Sequence, residues 1–267
     1  MSHPPGRAAL AVVTGASSGI GAALAREISR GGRPVLAVAR REDRLRALAA
    51  EARAAGQAAV HPLPLDLTAP GAAETLRAAA RELGGASWLV NCAGFGMYGP
   101  FERADPARLG EMIRLNCEAL VLATRALLPD LREAGPDAAL LNVASLGGLQ
   151  PMPFLSVYGA TKAFVVSFTE ALAEELRGTG VRVTAFCPGP VETEFGAVAG
   201  TGARFADVPG ILAADRAARD ALAALGRGTV VSVPGGLNRV MAGLGRVLPR
   251  GLLRRVSRRV LAPREGA

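Results

Sequence analysis

Tyr158 and Lys162 stand four residues apart in Tyr158-Gly159-Ala160-Thr161-Lys162, a spacing that puts a phenol and an ammonium on one face of a helix. A cation beside a phenol favours phenolate and is expected to lower the tyrosine pKa. Such a group can give a proton to an alkoxide, or take one from an alcohol, near neutral pH. Ser145, at the end of an apolar run, can hydrogen-bond the same substrate oxygen. Lys162 is the single lysine among 31 lysines and arginines, so its position reads as one that needs a compact ammonium rather than a planar guanidinium.

A second set of residues suits phosphate. Thr14-Gly15-Ala16-Ser17-Ser18-Gly19-Ile20-Gly21 joins an apolar run to a helical pattern with Ile20, Leu24 and Ile28 four apart. A helix N-terminus offers unpaired N–H groups and partial positive charge, and glycines keep side chains out of the way of a pyrophosphate. The next strand ends at Ala39 and is followed by Arg40 and Arg41 instead of an acid. An acid there would hold the adenosine ribose hydroxyls, whereas guanidiniums suit a 2′-phosphate, so NADP(H) is expected over NAD(H). Asp66, with Leu67 after it, could accept from an adenine amino group or cap the helix that follows. Asn91-Cys92-Ala93-Gly94 ends another strand, with residues small enough for the backbone to approach the cofactor ribose.

These residues must be held by alternating elements. Strands are expected at 10–13, 34–39, 60–65, 87–92, 138–143, 181–186 and 229–233. Helices are expected after the glycine turn and at 43–55, 72–83, 106–131, 156–177 and 212–225. The strands are nearly continuous apolar runs, which means a parallel sheet covered on both faces. The expected fold is α/β: a Rossmann-type doubly wound sheet of about seven strands with helices on both faces. Residues 1–236 read as a single dinucleotide-binding catalytic domain and 237–267 as a basic amphipathic C-terminal extension. The stretch 191–209 reads as a mobile loop over the site.

Composition narrows the alternatives. Half of the 267 residues are hydrophobic and a fifth are charged, as in a globular protein. No stretch approaches ~18 uninterrupted apolar residues, and the N-terminus has no signal-type apolar core, so a cytoplasmic protein is expected. Cys92, Cys117 and Cys187 lie in apolar runs without metal-ligand spacing, and His3 and His61 lie near no carboxylate or cysteine cluster. Neither a metal site nor a Ser-His hydrolase has support. Residues 237–262 carry seven arginines and no acid; removing them from the net charge of +8 leaves +1 for everything else. The basic character belongs to the tail, and no nucleic-acid surface is expected on the body.

Taken in order, these motifs resemble the classical short-chain dehydrogenase/reductase family over roughly residues 8–195. They are Thr14 to Gly21, Asp66, Asn91-Cys92-Ala93-Gly94, Asn116, Ser145, Tyr158-x-x-x-Lys162 and Pro188-Gly189-Pro190-Val191-Glu192-Thr193. Cys92 departs mildly from the family, which more often has Asn there. The resemblance implies a catalytic set of Asn116, Ser145, Tyr158 and Lys162, with Asn116 holding a water that links Lys162 to solvent. It implies that Lys162 grips the nicotinamide ribose, that Val191 and Thr193 contact the carboxamide, with Pro188 and Gly189 beside them, and that the pro-S hydride is transferred. It also implies a homodimer or homotetramer built on the two long helices.

The substrate side reads as apolar. Candidate pocket residues are Met97, Leu146 and Phe154, beside Ser145 and Tyr158, with Phe95, Leu149, Met152, Pro190 and Phe195 as further candidates. No Arg or Lys is among them, so an apolar ketone, aldehyde or secondary alcohol is expected. In the tail, Leu237, Met241, Leu244 and Leu248 share a stripe that Pro249 stops, and a second segment carries Leu252, Leu253, Val256 and Val260. The tail could cover a substrate pocket of its own or a partner subunit, lie on an anionic membrane surface, or extend into solvent. It argues against a plain β-ketoacyl-carrier-protein reductase. Two alternative functions are an NADH-preferring dehydrogenase and a non-catalytic dinucleotide-binding regulator. The second should have lost Ser145, Tyr158 or Lys162, and all three are present.

Overall fold

The computed structural model describes residues 10–201 and 211–263. His3 and the end of the loop expected at 191–209 lie outside them. Seven parallel strands form one sheet in the order β3-β2-β1-β4-β5-β6-β9. These are β1 (Leu10–Thr14), β2 (Val35–Ala39), β3 (Val60–Pro64), β4 (Ala86–Asn91), β5 (Ala139–Val143), β6 (Arg182–Phe186) and β9 (Val231–Ser232). Each boundary lies within about two residues of the sequence expectation.

Burial explains the composition. β1 and β5 are buried along their whole length, because the sheet is covered on both faces. β3, at the edge, alternates between buried and exposed positions and contains Pro62 and Pro64, which lack the N–H that a central strand would need. One core layer packs α1 (Gly19–Arg30), α2 (Glu42–Ala54) and α8 (Ala214–Gly226) on the sheet. The other packs α3 (Ala72–Glu82), α5 (Ala119–Ala134) and α6 (Ser156–Glu175). The strand order reverses between β1 and β4, which opens a crevice at their C-terminal ends. Thr14 closes its base: its Oγ accepts from the N–H groups of Cys92 and Ala93 at 3.0 and 3.2 Å.

Three sequence expectations need correction. The helix expected over 106–131 is α4 (Pro106–Ile113), a π-helical segment at Arg114–Glu118, and then α5. The stretch expected to be a loop contains β7 (Val191–Glu192) and α7 (Phe195–Ala199), and β7 pairs in parallel with β8 (Leu212–Ala213). The helix expected from 212 therefore begins only at Ala214. The tail forms α9 (Gly236–Val247) and α10 (Arg250–Leu261), separated at Pro249 as expected, and it packs on the body. Leu253, Ser257 and Leu261 are buried, and the Tyr98 hydroxyl donates to the Leu261 carbonyl at 2.7 Å.

Candidate active site

The turn between β1 and α1 is shaped for an anion. Ser18 caps α1 without a side-chain hydrogen bond, and no acid stands in the first turn. The leading N–H groups of a 12-residue helix are thus left for a ligand. Gly21 packs so tightly on the turn that a Cβ there would meet the Gly15 carbonyl oxygen at 2.2 Å. The cradle needs a bare backbone, and it fits a pyrophosphate. Thr193 lies over the same helix end, its methyl 2.9 Å from where a Gly19 Cβ would stand.

Arg40 and Arg41 diverge. Arg40 reaches Glu111 at 3.3 Å. Arg41, the N-cap residue of α2, donates from Nε to the Ser17 Oγ at 3.2 Å and pairs with Glu194 at 2.8 Å. Arg41 therefore sits at the rim of the phosphate turn more directly than Arg40 does. The guanidinium of Arg41 holds the Glu194 carboxyl below the usual carboxylate range, with Arg44 adding to the effect. Asp66 spends Oδ1 on its own turn, accepting from the Thr68 N–H at 2.9 Å and hydroxyl at 2.7 Å. Those bonds hold its carboxyl below the ordinary aspartate range. It shapes the turn before α3, whose own N-cap is Gly71.

Ser145, Tyr158 and Lys162 converge where β5 ends and α6 begins. Lys162 is buried, and its Nζ donates to the Val143 carbonyl at 2.8 Å and lies 5.9 Å from the Tyr158 ring centre. Burial is the largest influence on both groups. It pushes the Tyr158 phenol up to about 12, against a smaller lowering by a hydrogen bond with Ser145, and it moves the Lys162 ammonium down. The expectation of a lowered tyrosine pKa is thus reversed. Desolvation dominates, and the Lys162 ammonium is turned toward the Val143 carbonyl. Phe195 of α7 packs on Tyr158 with ring centres 5.2 Å apart.

Asn116 lies inside the π-helical segment and is fully buried. Its Oδ1 accepts from the Phe95 N–H at 3.1 Å, and its Nδ2 donates to the Phe95 carbonyl at 2.9 Å and the Thr161 Oγ at 3.0 Å. The side chain clamps the strand-end loop to α6 at Thr161, the residue that directly precedes Lys162. A Cβ on Gly94 would come within 2.8 Å of the Asn116 Oδ1 and 3.6 Å of the Lys162 Nζ, so this packing too requires a glycine. π-segments inside α-helices recur at functional sites.

One cavity of about 1080 Å³ joins these parts. It runs from Gly15, Ser17, Ser18, Gly19, Ile20 and Gly21 past Arg40, Asp66, Leu67, Ala93 and Gly94 to Ser145, Leu146, Tyr158 and Lys162. Pro188, Gly189, Val191 and Thr193 form its far wall. Asn91 lies beneath it, tying β4 to β5 and α5 through the Asn142 Oδ1 at 2.9 Å and the Thr124 Oγ at 3.0 Å. Met97 and Phe154 are not brought to the cavity. Met97 packs beside Phe95 and Leu155, and Phe154 makes a turn at φ 65°, its carbonyl accepting from the Gly99 N–H at 2.8 Å. The wall is also not wholly apolar. Arg108 and Glu111 line it as a 2.7 Å ion pair, with the guanidinium over the Phe95 ring at 4.1 Å. Of the alternatives open for the tail, it covers part of this chain's own cavity, lining it with residues that include Met241, Val256 and Leu261. Its apolar spacing was visible in the sequence, but not where that face would dock. Among the described residues, no cluster of His, Cys, Asp or Glu could hold a metal ion.

Residues 9–202 match the family described as short chain dehydrogenase. Among known proteins, the chain is 40% identical over 190 residues to a short chain dehydrogenase of Pseudocercospora fijiensis, covering 70% of this chain and 61% of that protein. It is 40% identical over 191 residues to sulfoacetaldehyde reductase 2 of Chromohalobacter salexigens, covering 70% of this chain and 74% of that protein. Among solved structures, a short-chain dehydrogenase from Sphingobium yanoikuyae in complex with NADPH superposes with a TM-score of 0.78 at 32% identity, covering 90% of this chain and 96% of that one. The match thus spans less than two thirds of the first relative's length.

Proposed function

The chain belongs to the short-chain dehydrogenase family, and from that premise we propose that it is an NADP(H)-dependent oxidoreductase acting on an apolar ketone, aldehyde or secondary alcohol. The observation that carries this reading is the convergence of Ser145, Tyr158 and Lys162 on the cavity that also holds the glycine turn. Arg41, lodged against Ser17, supports the choice of NADP(H), since a 2′-phosphate beside the turn would meet its guanidinium. The NADPH complex of the Sphingobium relative points the same way.

The dinucleotide, when bound, supplies or accepts the hydride. Its pyrophosphate would lie on the N-terminus of α1, its adenosine between Arg41 and Asp66, and its nicotinamide end against Val191 and Thr193, with Lys162 near the ribose. Every other step belongs to the chain. Tyr158 is a neutral phenol at rest, the form that gives a proton to a carbonyl oxygen as it is reduced. Ser145 holds that oxygen beside the phenol. Lys162 keeps a positive charge near the phenolate that remains, and Asn116 fixes the backbone around both. Phe195 and Leu155 shield the phenol from water, which strengthens each of these interactions. Met152, Leu146 and the tail give the substrate end its apolar lining.

Homo-oligomers built on α4–α5 and α6 fit the exposed Leu122 and Phe164, apolar side chains left uncovered on α5 and α6. No helix among the described residues is long and apolar enough to cross a membrane. A cytoplasmic location, with the basic tail as a means of peripheral membrane contact, is part of the same proposal. The decisive experiment is a screen of hydrophobic ketones, aldehydes and alcohols with NADPH and NADP⁺, repeated with NADH and NAD⁺. Turnover that needs Tyr158 and favours NADPH is expected. NADPH binding without turnover of any carbonyl would instead favour a dinucleotide-binding regulator.

A further inference from the structure

We propose that the outer face of α9 and α10 seats on an anionic lipid surface and that the substrate enters the cavity from the bilayer between these helices. Of the thirteen large hydrophobic side chains exposed among the described residues, eight lie on these two helices, so the apolar surface is concentrated here. Four of the eight, Leu237, Met241, Val256 and Val260, also line the cavity, with exposures of 39–66%. The mouth of the cavity and the uncovered apolar face are therefore the same residues. An apolar compound crossing this rim need not pass through water if the rim is immersed in lipid.

Charge selects the occupant. Arg239, Arg250, Arg254, Arg255, Arg258 and Arg259 are all exposed, and no carboxylate among the described residues pairs with them. On α10, Arg255 and Arg259 follow Leu252, Val256 and Val260 at the same four-residue period, so cations border the apolar stripe along its length. A second copy docked face to face would set this unneutralised charge against itself. A nucleic acid would satisfy the arginines and leave the apolar stripe wet. An anionic bilayer satisfies both, because phosphates lie at the depth of the guanidiniums and acyl chains at the depth of the valines. The inner face of α10 is already spent on the body through Leu253, Ser257 and Leu261, and α9 buries Asn238, so the exposed apolar residues lie on the faces left over.

The entry route rests on the reductase reading, whereas the docking does not, and the two are measured separately. The full chain is floated with vesicles of phosphatidylcholine alone and with vesicles containing about 30% phosphatidylserine. It is expected to float with the anionic vesicles only, and to be released as salt rises from about 0.1 to about 0.5 M. Arg255→Glu/Arg259→Glu should weaken that binding at least about tenfold while leaving the melting temperature and the reduction of a short water-soluble ketone unchanged. A long-chain ketone carried in the vesicles should be reduced faster as phosphatidylserine increases, and the double variant should lose that increase. Equal partition into both vesicle types, or into neither, overturns the docking. So does a dimer in sedimentation that the double variant splits, since the face would then belong to a second copy. Reduction of the vesicle-borne ketone that ignores lipid charge overturns the entry route. If no carbonyl is reduced at all, the reductase reading fails and flotation still decides the docking.

Discussion

Arg41 and Glu194 meet at 2.8 Å and thereby tie the start of α2 to the residue that leads into α7. Both side chains are 43% exposed, so the pair adds little to stability, on the order of 0.2–1 kcal/mol. Its importance is positional. A 2′-phosphate beside Ser17 must share Arg41 with Glu194 or displace it. Glu194→Gln is therefore expected to tighten NADPH several-fold and leave NADH unchanged. Arg41→Ala should weaken NADPH by about 10-fold or more, the loss of a charge-assisted contact. Fluorescence titration of both dinucleotides measures each effect, and an equal response of NADH would deny Arg41 its role at the 2′-phosphate.

Tyr158→Phe should bind NADPH normally and lose turnover by about 10²–10⁴-fold or more, the range of positioned proton transfer. With the phenol pushed up to about 12, carbonyl reduction should show no Tyr158 limb between about pH 6 and pH 9. Stability follows the same shift. The folded value lies above the free value of 10.0, so the contribution is complete below about pH 10 and is lost as pH rises toward 12. Alkaline unfolding of Tyr158→Phe should accordingly begin at higher pH than in the parent.

Lys162 is an ammonium held in a buried position that moves its pKa down. Its folded pKa lies below the unfolded one, so at neutral pH the folded state carries a penalty that relaxes only as pH rises. Lys162→Met keeps the volume and removes the charge. It should abolish turnover and raise the melting temperature, since the folded state no longer holds a desolvated charge. Thermal melts at pH 7 test this, and a melting temperature below that of the parent would contradict it.

Gly94→Ala places a methyl 2.8 Å from the Asn116 Oδ1. Overpacking of this kind costs about 1–3 kcal/mol. Because Asn116 also holds Thr161, the turnover number should fall more than the affinity for NADPH. Parallel denaturant melts and steady-state kinetics separate the two, and an unchanged turnover number would mean that the clamp does not position the pair.

The sheet was legible because each strand is a buried apolar run bounded by turns, and a parallel order follows once helices intervene. The site was legible because its residues sit at strand ends, where a small or polar residue interrupts an apolar run: Thr14, Asn91 and Ser145. The two-residue strands at Val191 and Leu212 carry no periodicity to detect. Nothing marks the π-segment either, since Leu115, Asn116 and Cys117 continue a helical pattern without proline or glycine. In the tail, the spacing showed an apolar stripe but not whether anything covers it. Ser257 faces inward and Val260 outward, contrary to their polarities, because the body and not the helix chooses the inner face. Phe154 was misplaced for a different reason. A left-handed backbone at a phenylalanine has no signature in a single sequence.

The π-segment at Arg114–Glu118 also divides one rod between two surfaces. A π-turn holds one residue more than an α-turn, so everything beyond it is rotated by about 100° relative to an unbroken helix. Met112 of α4 is thereby set against Phe95 and Tyr158, while Ala123, Leu127 and Leu131 of α5 lie on the sheet. The insertion acts as a gear between the two, and its phase is worth one residue. Removing a single amino acid here would leave the composition and helix propensity intact and turn one of the two surfaces away from its client. Outside Asn116, length rather than identity is thus the property that this stretch has least freedom to change.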